Sequence, residues 1–70
     1  MERVQAHSTS IASVGYDPAT ENLEIEFRTG RVYTYYGVPP HIHEQLVGAA
    51  SLGQFFNLHI RNVYSFDRTG

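Results

Sequence analysis

Seventy residues make one domain, and a chain this short buries a smaller share of its surface than a larger one, so its large apolar side chains must mostly serve the core. The absence of cysteine removes disulfides and thiolate chemistry, and no stretch has the apolar length of a membrane span or the charged-then-apolar start of a secretory leader. The formal net charge is −2, with five arginines and no lysine, which argues against strong sequence-independent nucleic-acid binding through many phosphate contacts. A soluble cytoplasmic protein is the default expectation.

Residues 1–10 are polar, with Ser8, Thr9 and Ser10 clustered, and are expected to be flexible or to begin as an edge; residues 67–70 are expected to be flexible as well. Ile11 to Tyr16 reads as a first strand. Ile11 and Val14 are out of phase for strict alternation, which predicts a bulge near Ser13. Asp17-Pro18-Ala19-Thr20 is a turn, with aspartate first and proline preset for the second position.

A β-hairpin follows over residues 22–36. Leu23, Ile25 and Phe27 alternate with Glu24 and Glu26, and Val32 to Tyr36 is a β-branched and aromatic run. A two-residue loop would force Thr29 to positive φ or want glycine first rather than second. A three-residue loop, with Arg28 and Thr29 in a type I turn and Gly30 as a left-handed bulge, avoids both conflicts. That register sets Leu23 opposite Tyr35 and Ile25 opposite Tyr33 on the apolar face, and turns Val32, Thr34 and Tyr36 outward.

Gly37-Val38-Pro39-Pro40 ends the third strand, and Pro40 suits the first position of a helix. Ile42, Leu46, Ala49 and Ala50 share one helical face, and Gly48 weakens the end. Ser51-Leu52-Gly53-Gln54 has the form of a capping box, so a second helix starts at Ser51. Its apolar stripe is Leu52, Phe55, Phe56, His59, Ile60 and Val63, and Tyr64-Ser65-Phe66 returns toward the sheet as a short extended tail. The predicted fold is α+β: a three-stranded antiparallel meander packed against two short C-terminal helices, in a single domain over 1–70.

No residue set stands out as catalytic. His41 and His43 lie two apart on a helix and point to different sides, so they read as solvated rather than as metal ligands, and neither a metal nor another cofactor is expected. His59 reads as a half-buried histidine bonded to backbone, and Glu24 and Glu26 as a solvated strand face. Among the aromatics, Tyr36 is the outward one and the better stacking candidate. The start of the second helix presents unpaired N–H groups to an anion, with Gly53 permitting close approach, though capping by Ser51 accounts for part of that arrangement.

The ordered set Val14-Gly15-Tyr16-Asp17, Leu23-x-Ile25-x-Phe27, Gly30, Tyr33-x-Tyr35 and Gly37-Val38-Pro39 resembles the KTSC domain. Ser51-x-Gly53-x-Phe55-Phe56-Asn57-x-x-Ile60-Arg61-x-x-Tyr64 is similar to the same family's C-terminal motif, so the likeness spans nearly the whole chain. The family occurs as an appendage of some lysyl-tRNA synthetases and as small stand-alone bacterial proteins. The resemblance implies a non-catalytic binding module with RNA as the leading partner class. Leu52, Gln54 and Leu58 stand where members of the family are often basic. The contact face expected here joins Ser51, Gly53, Asn57 and Arg61 on the second helix with Arg28 and Arg31 at the hairpin tip, and Tyr36 as a stacking residue. The alternative is a protein partner, or a homodimer made through an exposed strand edge.

Overall fold

The structure is a computed structural model that describes residues 2–5 and 10–70, the first four by their backbone alone. Five strands form one antiparallel sheet in chain order: β1 (Glu2–Gln5), β2 (Ile11–Asp17), β3 (Asn22–Phe27), β4 (Val32–Tyr35) and β5 (Phe66–Arg68). Helices α1 (Pro40–Val47) and α2 (Leu52–His59) are inserted between β4 and β5. The α+β class therefore stands, but the expected three-stranded meander is only the centre of a five-stranded sheet. The two added strands lie where the sequence offered an edge or a returning tail: β1 pairs Val4 with Val14, and β5 starts at Phe66, which pairs with Tyr35, and runs on into residues expected to be flexible, where Arg68 pairs with Tyr33. Met1 and residues 6–9 lie outside the described residues.

The hairpin between β3 and β4 closes as its turn chemistry requires. Phe27 N–H donates to Arg31 O at 2.9 Å, Gly30 N–H donates to Phe27 O at 2.9 Å, and Gly30 takes φ +93°. Leu23 then faces Tyr35 and Ile25 faces Tyr33. Leu23, Ile25 and Tyr35 are buried in the core, but Tyr33 is only partly buried. The next strand beyond Tyr33 is the three-residue β5, and its ring packs on those of Phe27 and Phe66, each with centroids 5.7 Å away. In β2 the pairing slips between Ile11 and Ser13, making Ala12 the extra residue. The bulge lets Ile11 and Val14 share the core face, while the Ser13 hydroxyl donates to Glu26 Oε1 at 2.7 Å.

The helices follow from their caps. Asp17 Oδ1 accepts from Ala19 N–H at 3.0 Å, and Val38 N–H donates to Glu21 O at 2.9 Å, which ties the exit of β4 to the first turn. Tyr16 reinforces that tie by donating its hydroxyl to Val38 O at 2.5 Å. Pro40 opens α1, and Leu46 is its buried anchor. From α2, Phe56 and Ile60 are buried with Ile11, Val14, Tyr16, Leu23, Ile25 and Tyr35. The expected stripe of α2 is too long, because the helix stops at His59 with Ile60 as its cap. Val63 is consequently 61% exposed. His59 is also exposed, its ring 4.6 Å from that of Phe55, rather than half-buried and bonded to backbone. His43 departs from the solvated reading in the other direction and stacks on Tyr16 at 4.4 Å. Among the described residues, no helix is long and apolar enough to cross a membrane.

Candidate functional site

Helix α2 begins where Ser51, in an extended conformation, turns its Oγ to accept from Gln54 N–H at 3.3 Å. The N–H groups of Leu52 and Gly53 belong to the first turn, where the helix itself supplies no acceptor. Gly53, Asn57 and Arg61 follow one another at four-residue spacing, which places them along one side of α2 and its cap. Phe56 fixes how this side meets the sheet, its ring lying edge-on to Phe27 at 5.6 Å and to Tyr35 at 5.3 Å.

A cleft of about 300 Å³ lies between the two layers. Gly53, Asn57 and Arg61 line it from the α2 side and Ser10, Phe27 and Tyr35 from the sheet side, with Phe56 between them. Among the described residues this lining holds one cation, several uncharged donors and no acid. Tyr35 is its least expected member. Only 1% of the residue is exposed, yet it reaches the cleft, and its hydroxyl has no hydrogen-bond partner among the described residues. Fully enclosed polar side-chain atoms among those residues all have partners, so the Tyr35 oxygen opens into the cleft rather than being sealed behind it. Burial raises the Tyr35 phenol above its ordinary value, and the charge of Arg61 pulls against that rise.

The residues expected from the sequence are thus partly assembled. Gly53, Asn57 and Arg61 share the cleft, and Ser51 caps the helix just before it. Arg28 borders the sheet side, since its N–H donates to Ser10 O at 2.9 Å. Arg31 is exposed on the opposite arm of the hairpin turn. Tyr36 is not brought to the cleft. It lies just past the end of β4 remote from the hairpin turn, 37% exposed, and its hydroxyl donates to Asp67 Oδ2 at 3.1 Å. That bond raises the Tyr36 phenol above its ordinary value. The residues missed are Ser10, Phe27, Tyr35 and Phe56. Tyr35 carried a signal, a hydroxyl on the core face that needs a partner, but the residues beside it come from a distant part of the chain.

The family model described as the KTSC domain matches residues 7–64. An uncharacterised protein from Stutzerimonas stutzeri is 47% identical over 57 residues, covering 81% of this chain and 80% of that protein. A lysine–tRNA ligase from Nostoc punctiforme is 41% identical over 58 residues, covering 83% of this chain but only 10% of the ligase. A crystal structure of a KTSC domain protein from Yersinia pestis superposes with a TM-score of 0.95 at 38% identity, covering 99% of this chain and 97% of that one.

Proposed function

This chain belongs to the KTSC domain family, and from that premise we propose that it is a non-catalytic binding module that holds RNA at the cleft between α2 and the sheet. The observation that carries the reading is the cleft itself, where Arg61 stands with Asn57, Ser10 and Tyr35 and, among the described residues, no acidic side chain opposes an anion. Among the described residues the lining has no carboxylate or imidazole to move a proton near neutral pH, which supports a role in holding a ligand. The lysine–tRNA ligases that share this sequence supply the partner class, since RNA is named in what they act on.

A second reading has its own observation. Phe66 is 50% exposed on β5, an outer strand of the sheet, and an unpaired edge beside an apolar ring suits a protein partner or a second copy of the chain. Titration against single-stranded RNA and tRNA at several salt concentrations separates the two. Saturable binding that weakens with salt supports RNA; none at low salt ends that reading, and sedimentation at rising protein concentration then tests self-association.

A further inference from the structure

We infer that the cleft is a single-phosphate site: it takes one phosphate monoester of a nucleotide, with the Tyr35 hydroxyl and the Arg61 guanidinium donating to its phosphoryl oxygens. The inference rests on the reading of this face as the one that meets RNA, and narrows it from a strand to one unit at a time.

Three observations carry it. The Tyr35 hydroxyl belongs to a residue 1% exposed, has no partner among the described residues, and opens into the cleft. A hydroxyl that opens into a cleft without a protein partner is a donor that a ligand oxygen can take up in place of water. The Arg61 guanidinium lines the same cleft as Tyr35, so an oxygen that accepts from the Tyr35 hydroxyl there meets a cation as well and is favoured when it is itself anionic. Gly53 adds a first-turn position without a side chain on the same wall, at the end of α2 whose dipole favours negative charge.

Size and charge limit the ligand to one unit. A volume of about 300 Å³ is at the lower end of the roughly 300–1,000 Å³ usual for small-molecule sites. A groove that tracks a strand needs cations in series, and this one has Arg61 alone among its described lining residues. Phe27 and Phe56 offer the rest of the nucleotide an apolar wall. A free nucleotide and the terminal phosphate of an RNA present the same chemistry, and the test distinguishes them.

The full chain, labelled with nitrogen-15, is titrated with adenosine 5′-monophosphate, inorganic phosphate, adenosine, acetate and a short RNA with and without a 5′-phosphate. The monophosphate is expected to shift the amides of Gly53, Asn57 and Arg61 saturably, inorganic phosphate to shift the same amides more weakly, and adenosine and acetate to leave them in place. Tyr35→Phe removes a hydroxyl that has no partner among the described residues, so its melting temperature should match the parent while monophosphate affinity falls about tenfold or more. Arg61→Gln, on an exposed side chain, should do the same. Equal affinity in Tyr35→Phe, shifts confined to another surface, or an equal response to acetate overturns the single-phosphate site. RNA bound tightly with or without its 5′-phosphate and indifferent to Tyr35→Phe overturns it too, and leaves the RNA reading standing. Monophosphate saturating the cleft while neither RNA binds keeps the site and ends the RNA reading.

Discussion

Phe56 is 4% exposed and its ring edges both Phe27 and Tyr35, so one side chain packs the core and spaces the walls of the cleft. Phe56→Ala should cost about 3–5 kcal/mol. Against the roughly 5–15 kcal/mol that holds a typical domain, and the low end for a chain of this size, that leaves much of the protein unfolded. A thermal melt checks it: a midpoint within a few degrees of the parent would show that Phe56 does not anchor the layers. The tyrosines add a pH dependence. Burial is the first cause that raises Tyr16 and Tyr35 above the ordinary value of 10.0. A folded state that holds its proton more tightly than the unfolded one keeps its full stability below that value and loses it as pH climbs through the folded pKa. Denaturant midpoints should therefore hold steady near pH 9 and fall by about pH 11, with a smaller fall in Tyr35→Phe. Midpoints flat to the alkaline end would mean that both phenols ionise freely in place. At this scale the sequence was legible where one residue has one solution. Gly30 at φ +93° is the turn glycine that Thr29 could not replace. The opening of the Tyr35 hydroxyl was not legible, because its charged neighbour is 26 positions further along the chain, at Arg61.

Among the elements, the central hairpin and the helix starts could be read from local chemistry alone. The β3–β4 register follows from the turn, the bulge in β2 from Ile11 and Val14 being out of phase, and the start of α2 from Ser51. The outer strands carry no such pattern. Val4 is the one large apolar residue in β1, and β5 is three exposed residues long, so neither shows the alternation that marks a half-buried strand. They exist because β2 and β4 present open edges to them. The cap on α2 is the element whose removal is easiest to read. Ser51→Ala strips the acceptor from Gln54 N–H and should cost about 0.5–2 kcal/mol, most typically about 1. Ser51→Asp should restore the loss, since its carboxylate accepts the same bond and suits the helix dipole. If chemical denaturation finds the alanine variant as stable as the parent, the cap contributes nothing and the first turn of α2 is held from elsewhere.

For the whole molecule, the placement of five arginines decides what kind of RNA binding is available. Arg3 and Arg68 sit on the strands at opposite edges of the sheet, and Arg68 Nε already donates to Gly70 O at 3.1 Å. Arg28 and Arg31 flank the hairpin turn, and Arg61 faces the cleft. These cations do not line a single groove, so a bound strand meets about three of them at most, those at the turn and the cleft. Each phosphate neutralised on a single strand contributes about −0.7 to the dependence of log K on log salt, which gives a slope of about −2. Binding with so few contacts should be weak at physiological salt and clearly stronger when salt is lowered. Arg61→Ala should flatten the slope by about 0.7, whereas Arg68→Ala, at the far edge, should leave it unchanged. The measurement is a fluorescence titration of labelled single-stranded RNA against parent and variants at four or more salt concentrations. A slope much steeper than about −2 would require cations that this arrangement does not supply and would assign binding to an assembly of several chains. A slope untouched by Arg61→Ala but flattened by Arg28→Ala would move the contact from the cleft to the hairpin tip.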